Sequence, residues 1–287
     1  MSNNHDHDAT VTYEDSGIPQ PYHIVRPSIW PLLGALAAGI MMAGMVMFMH
    51  KDKIKIGDFS LLPGLKLPLL GLLGVFCVMF FWWRDIIREA FNERAHSQPV
   101  KKGLHYGMAL FISSEVMFFV AFFWAYYSAA LYPPAILGGV WPPANIPTAD
   151  PFDMPFFMTL ILLFSGTTVT WAHHAVLENN RRDLIRALAL TVVLGASFTV
   201  CQAWEYAHTD FNLTSGMFGS TFFMATGFHG LHVIIGTIFL AVCLWRSKQG
   251  QFSADSHFGL TAAAWYWHFV DVVWLFLFVS IYYFGSH

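Results

Sequence analysis

The residue in this sequence that most needs a chemical account is Glu115. It stands in Phe111-Ile-Ser-Ser-Glu115-Val-Met-Phe-Phe119, about eleven residues into a long apolar run. A carboxyl at membrane depth is costly when charged and normally faces a partner, a bundle interior or water. On a helix its neighbours three, four and seven residues on are Phe118, Phe119 and Phe122, with Ser113 and Ser114 the nearest polar side chains. Two readings stay open: an acid hydrogen-bonded to a neighbouring helix, or a group that moves protons or serves a reactive pocket.

Histidines form the second set. His173 and His174 end one apolar run, His229 and His232 lie in another, and His268 in a third. Imidazoles three residues apart share a helix face, so His229 and His232 could form half of a metal site. A haem or di-iron centre needs facing ligand groups on several helices, and these groups are too few. The pattern therefore favours histidines bridging helices. His268 and Asp271, also three apart, are expected to satisfy each other locally. A third set is basic: Trp82-Trp83-Arg84-Asp85-Ile-Ile-Arg88-Glu89, with His96 after it, ends an apolar run. Arginine beside interfacial tryptophan suits an anionic lipid headgroup, and ordinary snorkelling is the competing reading.

The elements that carry these residues are membrane spans. A spanning helix needs roughly 20 mainly apolar residues, and seven stretches qualify: about 29–49, 67–83, 104–131, 155–176, 184–204, 217–245 and 258–284. The fold class is thus all-α and polytopic, preceded by a polar, acidic segment over residues 1–28. That segment fits neither a secretory signal nor an Arg-rich transit peptide, so the spans themselves are expected to direct insertion. Ala35, Gly39 and Ala43 form one small-residue stripe for close helix approach, and Gly216, Gly219, Gly227 and Gly230 offer another. Eleven Lys and Arg residues fall on the side of the amino terminus and four on the other. The positive-inside rule then puts the amino terminus in the cytoplasm or matrix and the carboxyl terminus opposite.

Composition agrees. Hydrophobic residues make up 56% of 287 and charged residues only 11%, against roughly 25% charged in soluble domains. The net charge of −3, without a basic patch, argues against a nucleic-acid partner. Cys77, Cys201 and Cys243 lie singly in apolar runs and read as buried small hydrophobes.

Taken together, the chain resembles subunit III of the haem-copper terminal oxidases, the cytochrome c oxidase subunit III family. The resemblance runs from about His23 to Gly285. It is carried by Trp82–Glu89, Gly107–Phe119, Thr170-Trp-Ala-His-His174, Phe223–Gly236 and Ala263–Trp274. It implies a subunit without haem or copper of its own, those cofactors residing in the partner catalytic subunits. Subunit I is the main implied partner, with subunit II, structural phospholipids and room for a respiratory supercomplex. The implied setting is aerobic respiration in a bacterial cytoplasmic or mitochondrial inner membrane, with cytochrome c or quinol as donor. It implies that helices one and two splay from helices three to seven around a lipid-holding cleft. The implied role is to sustain proton uptake and to stabilise the catalytic subunit while dioxygen is reduced to water and protons are pumped. Glu115 corresponds to a buried carboxyl that reacts with a hydrophobic carbodiimide. Trp83, Arg88, Glu89, His96 and Arg246 correspond to lipid-binding positions. The alternatives are a stand-alone proton channel or transporter using Glu115 with His268 and Asp271 as relay, and a metalloenzyme using His173, His174, His229 and His232.

Overall fold

The computed structural model describes residues 27–50, 64–91, 97–133, 139–143, 146, 148 and 150–286, with the backbone of four short strands. Most of the acidic amino-terminal segment, Lys51 and Lys53 of the first loop, and His96 lie outside the described residues. Among the described residues, seven helices are long and apolar enough to cross a membrane. They are α1 (Trp30–His50), α2 (Lys66–Phe91), α3 (Gln98–Leu131), α4 (Met154–Leu177), α5 (Arg181–His208), α6 (Gly216–Lys248) and α7 (Phe258–Leu277). Two antiparallel strand pairs, Val11–Thr12 with Pro19–Gln20 and Ile54–Ile56 with Phe59–Leu61, are small additions to this all-α architecture.

Several helices outrun the expected spans. Helix α2 continues to Phe91 and so carries Arg84 and Arg88 on its own last turns. Helix α5 continues past Trp204 to His208, which brings Glu205 inside it. Helix α7 widens into a π-helical turn over Phe278–Tyr283, followed by a short 3-10 turn. Two polar residues of that π turn are bonded to neighbouring helices: Ser280 with Tyr127 at 2.6 Å, and Tyr282 donating to Glu205 at 3.2 Å.

The chain divides into two compact units, residues 1–103 and 104–287. In the first, α1 and α2 pack through small residues, but not along the expected stripe. A Cβ at Gly39 would meet nothing within 4 Å. The contact face is instead Gly34, Ala37, Met41 and Gly44. A Cβ on Gly44 would come within 2.6 Å of the Pro68 nitrogen, and one on Gly71 would strike the backbone of Met41. One end of this pair is fastened by Trp30, whose indole donates to Asp85 at 2.8 Å and stacks on Phe81.

In the second unit α4, α5, α6 and α7 close a ring, each packed on the next and α7 against α4. Its core is aromatic, with Trp267, Trp274, Phe198 and Leu240 fully buried. A buried indole N–H must find an acceptor. Trp267 donates to Ser165 and Trp274 to Thr159, each at 2.9 Å. Thr168 and Thr191 join α4 to α5 at 2.8 Å. Of the second expected glycine set, Gly219 and Gly230 are close approaches, to Asn212 and Gln202, whereas Gly216 is open and a Cβ on Gly227 would only touch the Tyr206 hydroxyl at 3.9 Å. Arg181 donates to the carbonyls of Ser247 and Lys248, and so adds a side-chain cap to the carboxyl end of α6.

Candidate functional site

The intramembrane carboxyl Glu115 has a partner from another helix. Its Oε2 lies 2.8 Å from His232 Nε2, on α6 and 117 residues away in the chain. The other imidazole nitrogen, Nδ1, lies 2.6 Å from the Phe228 carbonyl. A carbonyl only accepts, so Nδ1 carries a hydrogen. The Glu115–His232 contact therefore shares one proton, held on the carboxyl and given to a neutral imidazole, or held on an imidazolium facing a carboxylate. The histidine side chain is 9% exposed and the glutamate 22%. Around them stand Phe118, Phe119, Tyr266 and Phe269, with ring centroids 5.0–6.4 Å from that of His232. The helix of Glu115 supplies the aromatic walls expected of it, and α6 supplies the polar contact.

His229, one turn away, has a separate role. It is fully buried between Phe198 and Trp274, and its Nε2 donates to the Val270 carbonyl at 3.1 Å. Its Nδ1 has no partner among the described residues. The two α6 histidines thus share a helix but turn to different neighbours. His173 lies 3.4 Å from the Thr261 hydroxyl, and its ring centroid is 5.8 Å from that of His257, while His174 is exposed. Among the described residues no three His, Cys, Asp or Glu side chains converge as a metal-holding group.

The expected His268–Asp271 pair is not a hydrogen bond. Their closest atoms are 3.9 Å apart. Asp271 is turned inward against α4, where a Cβ at Gly166 would sit 2.7 Å from its Oδ2. Asp271 Oδ1 is buried without a partner among the described residues. His268 is nearly half exposed and reaches Thr170 instead, at 3.2 Å. Residues three apart on a helix are neighbours, but packing across the α4–α7 interface decides where each side chain points.

On α2, Trp83 and Arg88 are exposed and Glu89 is half-buried. Arg84 lies 3.5 Å from Asp85 and over the ring of Phe81. Arg246, at the end of α6, is committed within its own chain. It donates to Gln251 at 3.0 Å, and its guanidinium lies 4.5 Å above the ring of Phe252.

Sequence reasoning missed another buried carboxyl, Glu205. It is 6% exposed, accepts from Tyr282, and adjoins the linked group Gln202, Tyr206 and Thr226. The available signal was Gln202-x-x-Glu205-Tyr206, three polar groups at the edge of an apolar run that was read as ending at Trp204.

Comparison with known proteins gives one consistent result. The family described as Cytochrome c oxidase subunit III matches residues 20–286. Among curated relatives, Cytochrome c oxidase subunit 3 of Danio rerio is 54% identical over 265 residues, covering 92% of this chain and 97% of that protein. The protein of the same name from Scyliorhinus canicula is 54% identical over 266 residues, covering 93% and 98%.

Proposed function

This chain belongs to the cytochrome c oxidase subunit III family, and we propose that it serves there as an accessory subunit free of redox cofactors. In that role it packs beside the catalytic subunit I, with subunit II in the same assembly, binds phospholipid and sustains proton uptake. Haem and copper belong to those partners. The observation that carries the reading is the commitment of the intramembrane histidines to protein groups. His232 is held by Glu115 and Phe228, and His229 is bonded to the Val270 carbonyl. Neither presents a matched ligand set to a redox centre.

The phospholipid part draws on α2. Arg88 is exposed beside Trp83, and neither an ion pair nor a hydrogen bond occupies its guanidinium among the described residues. An arginine so placed can hold a phosphate through charge-assisted hydrogen bonds. A groove of about 390 Å³ runs along α1 and α2, lined by Leu36, Ile40, Leu70, Gly74 and Phe81. Its apolar walls suit an acyl chain. Glu89 and His96 are proposed for the same headgroup, and Arg246, in the second unit, for a lipid of its own.

Within the basic end of the second unit, Arg181, Arg182, Arg186, Arg246 and Lys248 gather at the ends of α4, α5 and α6. The positive-inside rule assigns that end to the cytoplasm or matrix, the side from which protons are taken up. A stand-alone proton channel is the second reading, and the Glu115–His232 pair favours it. The relay it needs is not continuous, because among the described residues no hydrogen bond joins that pair to His268 or Asp271.

Purification in mild detergent tests the assignment. The chain is expected to travel with haem-bearing subunits and, once separated from them, to hold no stoichiometric haem, copper or iron. A chain that purifies alone and conducts protons when reconstituted would overturn it.

A further inference from the structure

The end of the second unit that carries Glu205 is acidic. Its connecting segments, 132–153 and 209–215, contain Asp150, Asp153 and Asp210 and no Lys or Arg. A cavity of about 230 Å³ opens there, lined by these three aspartates with Glu205, Thr148 and His208 among others. Glu205 is the informative member. It is more than nine-tenths buried and lines the cavity, yet its Oε1 meets no hydrogen-bond partner among the described residues. A buried carboxyl oxygen left unsatisfied costs about 1–3 kcal/mol or more, so a carboxyl in the wall of this cavity favours a ligand that supplies positive charge or donors.

We propose that this cavity binds a hydrated divalent cation of the hard, oxygen-preferring class. Oxygen donors select such ions, and the lining offers four carboxylates and two threonine hydroxyls. The carboxylates are spread around the cavity rather than gathered tightly enough for direct coordination, so the ion keeps most of its water. Magnesium-like ions do this habitually, touching one or two carboxylates and retaining several waters. Six waters at roughly 30 Å³ each fit within the space available. The Glu205 carboxyl, whose Oε2 accepts from Tyr282 at 3.2 Å, turns to accept from the inner waters, and the exposed aspartates close the outer half. The bound ion would join the segments that precede α4 and follow α5.

The test is Mn²⁺ titration followed by loss of the free-ion electron paramagnetic resonance signal. It uses chelator-stripped protein in mild detergent, with whatever subunits accompany it. Metal sites on other subunits are the same in every variant and cancel in the comparison. Asp153 and Asp210 are exposed, so the Asp153→Asn, Asp210→Asn double variant keeps the fold. Wild-type protein is expected to bind one Mn²⁺ per chain that the double variant binds about tenfold or more weakly, because affinity follows ligand charge. Glu205→Gln should weaken the same ion. Equal stoichiometry and affinity in all three proteins would overturn the proposal. So would a wild type without this ion, or a Glu205→Gln variant that binds it unchanged. The result does not depend on oxidase membership, which copurification tests separately.

Discussion

The α1–α2 pair and the α4–α7 ring solve the same problem by different means. In the first, helices meet through glycine and alanine, and backbone touches backbone at Gly71 and Gly44. Few side chains are buried: in α1 only Ala37 and Gly44 lie below the surface. In the second, bulky aromatics fill the space between helices, and the buried indoles of Trp267 and Trp274 are bonded across to α4. Water gives no hydrophobic drive between helices in lipid, so contacts rest on close packing or on hydrogen bonds. A glycine seam uses the first and leaves its outer faces free for lipid or partners. The aromatic ring uses both, and it encloses the polar side chains of Glu205, His229 and Asp271.

The largest effect is expected where the seam has no slack. Gly71→Ala would drive a methyl group into the Met41 backbone, and should cost about 3 kcal/mol. Gly39→Ala, in open space, should fall within about 0.5 kcal/mol of wild type. Thermal unfolding in detergent measures both. Equal effects at the two positions would contradict the seam. In the ring, Thr159→Val leaves the Trp274 indole N–H buried without an acceptor, and should cost about 1–3 kcal/mol in the same assay. A neutral outcome would mean that aromatic packing alone holds α4 to α7. A smaller structural effect is expected from Arg88→Ala, which should assemble normally yet carry less copurifying phospholipid and inactivate sooner during turnover. Unchanged lipid content and lifetime would remove Arg88 from the lipid site.

All seven helices were legible as apolar runs, because membrane thickness imposes a length that composition alone reveals. Their ends were less so: α5 was cut at Trp204 because the polar Glu205, Tyr206 and His208 imitate a loop. The pairing of Glu115 with His232 was not readable, since 117 residues separate them and helical spacing reports only neighbours on one helix. The same limit explains Asp271 and His268, which sequence proximity joined and interhelical packing separated. The small-residue stripe failed for a related reason. Ala35, Gly39 and Ala43 satisfy the periodicity, but so do Gly34, Ala37, Met41 and Gly44, and only the partner helix chooses between faces.

The smallest effect is predicted at the most unusual residue. Gln keeps the shape of Glu115 and can donate its amide hydrogen to His232 Nε2, so Glu115→Gln should assemble normally and resist an apolar carbodiimide. It cannot pass a proton, which makes it the direct test of an accessory role. Steady-state turnover and proton pumping of the reconstituted Glu115→Gln complex should stay close to wild type. Loss of nearly all turnover with assembly preserved would contradict the accessory role and make the Glu115–His232 pair an obligatory proton carrier.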